Sequence, residues 1–417
     1  MKSAPLHLPV FQRFNCHGCT HCCRDVVVNV TEEEQRQIMK AGWEQRVPGP
    51  IFIPYRFHGR KLVRLAQTSD RKCIFLREDG RCRLHAETGM HIKPLPCRLF
   101  PFVPTPGVGS VRIDLRADCP TVARNEGHRL NARELAGLAA ETKTEPLASP
   151  PVWRGLHRLS FDGFEALADG FAGVLNEPGL SARNRLRVGC LMLEALERTK
   201  PYKLEGGLFR SMIQILRQAA VIDTQEAPDQ PPPLPERPGR LFRQWLFLHA
   251  IVDSPSDLSL KGIEKYRRSW LRYRQARRFA AGRGPVPRIR PDWPETTFEA
   301  IAQVRQAEDA ALEPLLRSMR LKLDAHAFCG PGYYGYDVFH GLTALWLLPA
   351  LTGWLARLEA VKAGHDALTA DDVIAGLRRA HTTFGVSPVF ARISERLRLR
   401  ALARPGVVQG LTALYGP

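Results

Sequence analysis

Four cysteines in eight residues, Cys16-His17-Gly18-Cys19-Thr20-His21-Cys22-Cys23, are the densest concentration of metal-binding chemistry in this chain of 417 residues. A C-x-x-C step turns the backbone tightly enough for two thiolates to face one ion, and C-x-x-C-x-x-C offers three sulfurs to one iron–sulfur cluster. Four more cysteines follow before residue 120, at Cys73, Cys82, Cys97 and Cys119. The candidate metal ligands are therefore Cys16, Cys19, Cys22, Cys23, Cys73, Cys82, Cys97 and Cys119. They could fill two four-ligand sites, or one site with spares.

Two other uses of cysteine fit poorly. A disulfide framework belongs to small secreted chains in oxidising compartments. The first nine residues carry a lysine, two prolines and no apolar run, so they do not read as a signal peptide, and a cytoplasmic location is expected. Buried structural thiols, for their part, need no neighbours at fixed spacing. Structural zinc usually takes two knuckles with two ligands from each, whereas only one run exists here. Cys22 and Cys23 would point to opposite sides of an extended chain and so serve different metals or roles. The spacing thus favours an iron–sulfur cluster, of the 4Fe-4S kind, over zinc. His17, His21 and His85 are substitute ligands or hydrogen-bond donors to sulfur. Arg24 and Arg98, each beside a cysteine, either bond to sulfur or pair with carboxylates.

Cys16-x-x-Cys19-x-x-Cys22-Cys23-Arg24, the Thr31 that opens a Glu-rich helix, Cys73…Gly80-Arg81-Cys82-x-x-His85 and Lys93-Pro94-x-x-Cys97-Arg98-x-Phe100-Pro101 together resemble the CxxCxxCC cysteine-cluster family (YkgJ type). The resemblance spans about the first 120 residues. It implies a zinc- or iron-chelating or iron–sulfur protein. Because the family includes sequences labelled flagellin N-methylase, it also implies a protein lysine N-methyltransferase using S-adenosylmethionine. Two departures stand out: Lys93-Pro94 replaces an Arg-Pro, and the stretch from His85 to Pro94 is longer than in the short family version.

The elements that must position these residues divide the chain. Residues 1–125 read as a small, loop-rich α+β metal-binding lobe, with strand-like pieces at 25–30, 61–67 and 108–115 and a helix begun by the capping box Thr31-x-x-Glu34. Residues 126–417 read as a larger α-helical bundle, so the fold class is mostly α. Its helices are expected at 131–141, 162–175, 181–198, 206–220, 241–252, 261–280, 296–323, 337–358, 370–382 and 389–403. The proline-rich stretch at 224–239 reads as a loop or linker, since proline fixes φ and lacks the backbone donor. The apolar segment from Val338 to Leu355 is at the short limit for a membrane span and contains His340 and Pro349, so a buried central helix is favoured. Just before it, Phe328-Cys329-Gly330-Pro331-Gly332-Tyr333-Tyr334-Gly335-Tyr336-Asp337 is either a glycine-rich turn or the wall of a pocket with Asp324, Asp337 and His340 as acid–base groups. Cys190 and Cys329 read as buried thiols.

A formal charge of +18 suggests an acidic partner or substrate, with an acidic protein preferred to nucleic acid, although arginine-rich composition alone can produce it. The strongest basic run, from Arg267 to Arg278, has Ile263, Tyr266, Trp270 and Tyr273 at helical spacing, which favours an ordinary amphipathic helix over a base-stacking surface. No dinucleotide loop, phosphate loop, H-E-x-x-H or nucleophile elbow is present, and the C-x-x-x-C-x-x-C spacing of radical S-adenosylmethionine enzymes is missing. Three functions remain: an iron–sulfur protein, a lysine N-methylase, or a zinc-stabilised module that binds nucleic acid or protein.

Overall fold

The computed structural model describes residues 4–24, 26–57, 60–226, 233–251, 257 and 260–417. The chain is mostly α, with a small α+β part at its N-terminal end whose sheets are built from short strands. Helix α1 (Glu32–Lys40) starts at the expected capping box: the Thr31 hydroxyl accepts from Glu34 N–H and the Glu34 carboxylate accepts from Thr31 N–H. Strand β2 (Arg13–Phe14) pairs antiparallel with residues His128–Arg129, and strands β3 (Phe52–Phe57) and β4 (Arg60–Leu65) form an antiparallel hairpin. The piece expected at 25–30 runs beside β4, with Leu65 N–H donating to Val28 C=O and Val30 N–H to Val63 C=O, but it pairs only locally; Asp25 lies outside the described residues. These segments close over a core of Ile38, Trp43, Val47, Ile51, Phe75 and Leu84, in which the Trp43 and Phe75 rings meet edge-on at 5.4 Å.

A second sheet takes the order β1-β6-β5, where β1 (Leu6–His7) runs parallel to β6 (Val111–Leu115) and β5 (Phe102–Pro106) antiparallel to it. Its apolar face joins Cys119, Val122 of α3 (Pro120–Arg124) and Ala139, and also Leu321 from the helical part. A polar seam runs beside that contact. Thr105 donates to Ala325 C=O, Arg112 to Asp324 C=O, and Lys322 pairs with Asp114.

The helical part follows the expected periodicity through α4 (Ala132–Glu141), α5 (Phe161–Val174), α6 (Ala182–Arg198), α7 (Gly206–Glu226), α8 (Glu236–Ala250) and α9 (Gly262–Ala281). The proline-rich break is shorter than expected, because residues 224–226 end α7 and 236–239 begin α8. Pro238 sits in the first turn, where a missing N–H has no helical acceptor to lose. The centre of that stretch, 227–232, lies outside the described residues.

The single helix expected over 296–323 is two: α10 (Phe298–Gln303) and α11 (Glu313–Asp324). Between them the backbone of Arg305 bonds to Asp366 C=O and Leu368 N–H as in a parallel bridge, which an α-helix cannot provide. The apolar segment forms α12 (Val338–Trp346) and α13 (Leu348–Ala363), with Pro349 in the first turn of the latter. Together they are long and apolar enough to cross a membrane, yet the most apolar stretch is wholly buried within the fold. Against α13 packs α14 (Ala370–His381), where Gly376 has no room for a side chain: a Cβ would stand 2.6 Å from Thr352 C=O and Ala356 N. Two last helices, α15 (Ile393–Leu402) and the unexpected α16 (Val407–Tyr415), complete the bundle.

Candidate metal centre

The cysteine run is a bent loop. Gly18 and Thr20 both take left-handed backbone conformations, and a short 3₁₀ turn follows over His21–Cys23. That turn overturns the expectation of opposed side chains: the Cys22 and Cys23 sulfurs lie 3.9 Å apart and face one cavity. Cys73 N–H donates to Cys23 C=O, which stitches the second segment onto the first. From Cys73 the chain reverses through Gly80, at φ 81°, with Asp79 accepting from Arg81 N–H, and returns Cys82 against Leu76.

Cys97 comes from α2 (Leu95–Leu99). Glu34 orients this segment: one carboxylate oxygen closes the capping box and the other accepts from Leu95 N–H at 2.6 Å. The capping residue of α1 therefore also anchors the turn that carries a thiol. Glu34→Ala is expected to cost about 1–2 kcal/mol, and Glu34→Gln, which cannot serve both donors with a charge, a fraction of that; urea unfolding checks the order.

The result is a cavity of about 80 Å³ lined by Cys22, Cys23, Cys73, Cys82 and Cys97, with Lys93 and Arg116 at its wall and Val28, Leu65, Phe75, Leu84 and Phe100 among its apolar neighbours. The hydrogen bond with Cys23, and then burial, push the Cys22 thiol far up. Burial, then the neighbouring thiols, push Cys73 up to about 11. The same causes push Cys97 up to about 12. Lys93 opposes the rise at all three. All ten cysteines are free. Gathering thiols in an apolar hollow without joining them makes physical sense for a cation that neutralises the thiolates. Among the described residues no three Cys, His, Asp or Glu side chains surround one ion-sized point. The five thiols instead border a space larger than a single water, which takes about 10–15 Å³ on such a measure.

The other three candidates stand apart. Cys16 and Cys19 are exposed and do not line the cavity, so the structure does not bring the three sulfurs of C-x-x-C-x-x-C together. Cys119 is buried beside the second sheet, where burial raises its thiol and Cys19 adds to the rise. Arg378 of α14 bonds to Asp118 C=O, and burial lowers its guanidinium against the opposing pull of Cys19, Asp118 and Cys119 nearby. None of His17, His21 or His85 borders the cavity; His17 lies 3.5 Å from Glu126. Arg98 holds Glu141 with two bonds of 2.6 Å, and Arg24 bonds the Thr20 hydroxyl, so neither is spent on sulfur. Spacing did not single out Arg116 or Gln67 as cavity residues, and Lys93 stood out in the sequence only as a departure.

The glycine–tyrosine segment is a turn. Gly330 N–H donates to Tyr336 C=O, the Tyr334 hydroxyl to Thr383 C=O and the Tyr336 hydroxyl to Phe390 C=O. Asp337 caps α12 and holds the His340 ring, while Asp324 pairs with His7. Among the described residues no acid–base set converges there. Cys190 and Cys329 are buried in the bundle core, as expected.

Residues 15–127 match the CxxCxxCC family model, described as "Putative zinc- or iron-chelating domain". No curated protein and no solved structure matches the chain.

Proposed function

We propose that this chain is an iron–sulfur protein whose N-terminal lobe holds a cluster, of the 4Fe-4S kind, through thiolates drawn from Cys22, Cys23, Cys73, Cys82 and Cys97. Its metal-binding character rests on the chelating domain over residues 15–127. The observation that carries the choice of a cluster is the size of the space those thiols border, about 80 Å³. Four thiolates around zinc, with bonds of about 2.3 Å, close on the ion and leave no such hollow. A cluster would supply one-electron redox chemistry or a structural clamp. The chain's own residues would tune it: the apolar wall excludes water, and Lys93 offsets the negative charge of the thiolates, while Arg116 at the wall is held by Asp118. Ten free thiols favour a reducing compartment, the cytoplasm. The net charge of +18 favours an acidic partner.

The lysine N-methylase reading, with S-adenosylmethionine as cofactor, lacks comparable support. Tyr333, Tyr334 and Tyr336 would suit the wall of a lysine channel, but Tyr333 is buried in the core and the hydroxyls of Tyr334 and Tyr336 are engaged by backbone carbonyls. Iron and acid-labile sulfide should be measured, with a visible spectrum, on protein purified without oxygen. Iron with equal sulfide and broad visible absorption is the expected result; zinc without sulfide overturns the proposal and leaves a zinc-stabilised module.

A further inference from the structure

Helix α9 reverses the ordinary amphipathic arrangement. Its inner face rests on Phe279 and on Arg268 and Arg272, which pair with Asp257. The residues at apolar helical spacing point the other way: Ile263 is 75 % exposed, Tyr266 77 %, Trp270 61 % and Tyr273 59 %. A soluble helix buries such a stripe, and an exposed run of aromatics marks a surface that meets something. Arginines share this outward face. Arg274 lies over the Trp270 ring at 4.7 Å, and Arg274, Arg277, Arg278 and Ala281 border a shallow depression at the end of the helix. Glu264, bonded to Arg267, is the only carboxylate on the helix itself.

We propose that the outward face of α9 binds single-stranded nucleic acid, its aromatic rings stacking on bases and its guanidinium groups meeting phosphates. Charge complementarity with a polyanion is given by the arginines and by a chain charge of +18. The interleaving selects the kind of polyanion. An interfacial membrane helix separates its apolar face from its cationic one. Here both types alternate on one face, as successive bases and phosphates do along a strand, while the opposite face is occupied by the protein. The inference is independent of the metal centre, which involves none of these residues.

The test is fluorescence anisotropy of a labelled oligothymidylate of about twenty nucleotides with the full chain, beside co-sedimentation with anionic phosphatidylserine vesicles. Saturable binding is expected near 50 mM salt, with affinity falling as salt rises by about 0.7 log units per log unit for each phosphate contacted. Trp270→Ala with Tyr273→Ala should weaken binding about tenfold or more. Arg274→Glu, Arg277→Glu and Arg278→Glu together should abolish it or flatten the salt slope by about two. All five positions are solvent-facing, and far-UV circular dichroism confirms that each variant is folded. Absence of saturable binding, affinity unchanged in both variants, or vesicle binding lost in the variants with no oligonucleotide binding each overturns the proposal.

Discussion

Replacing Cys73 and Cys97 together by alanine is expected to strip the protein of its metal, because only three of the five cavity thiols then remain, whereas Cys16→Ala should leave the content nearly unchanged. Cys73 and Cys97 both border the cavity, and burial and the neighbouring thiols raise each one, so each is a neutral thiol whose proton a bound cation would displace to leave a ligating thiolate. Cys16 is exposed and lies outside that wall. In domains whose site forms only on folding, metal affinity is folding free energy, about 10–16 kcal/mol for structural zinc in peptides. Loss of both thiols should therefore lower metal content below about a tenth of the native value and destabilise the lobe together. The lobe's own core is small, centred on Trp43 and Phe75, and has little else to offset the loss. Elemental analysis of the two variants, paired with urea unfolding, checks this. Equal metal retention in the double variant and in Cys16→Ala would remove the cavity from the ligand assignment.

The largest effect away from the metal is expected at the seam between the two parts of the chain. Lys322 and Asp114 pair with side chains only 5 % and 3 % exposed. Removing one member strands the other charge in the interior, at a cost of about 3–5 kcal/mol. Lys322→Ala should lower stability by that amount, while Lys322→Met combined with Asp114→Leu should cost far less, because no charge is left unpaired. The pH dependence follows from the direction of the Asp114 shift. Burial raises its carboxyl above the ordinary value and Lys322 opposes the rise. Without the lysine the folded carboxyl is raised further, so the folded state holds a proton that the unfolded state releases. The variant then loses stability as pH climbs from about 4, the unfolded carboxylate value, through the raised folded value. Its deficit is smallest at the acid end. Urea unfolding of both variants across that range checks the sign; a deficit that grows on acidification would contradict it.

Much of the local structure was legible because local sequence decides it. Thr31-x-x-Glu34 specifies a helix start through bonds three residues apart, and the structure has them. The apolar spacing of 162–175 and 181–198 yields α5 and α6 nearly to the residue. At 296–323 the same reasoning failed, since Arg305 is bonded to residues some sixty positions on, and no periodicity records a partner that far away. Helix α16 was missed in a short stretch near the chain's end, where Leu411 is fully buried. The tyrosines at 333–336 looked the same as pocket or as turn until their hydroxyl acceptors at Thr383 and Phe390 were in place.

By itself the sequence determined the chemistry available: eight cysteines in the first 119 residues, their spacing, and a mostly helical chain after them. Only the tertiary structure sorted those cysteines, because metal ligation depends on distance in space and the run turns at Gly18 and Thr20 instead of extending. It set Cys22 and Cys23 on one cavity with Cys73, Cys82 and Cys97, left Cys16 and Cys19 outside it, and buried Cys119 elsewhere. It also decided which way α9 faces. A helical wheel fixes which residues share a side, but the packing of the rest of the chain determines whether that side meets protein or water.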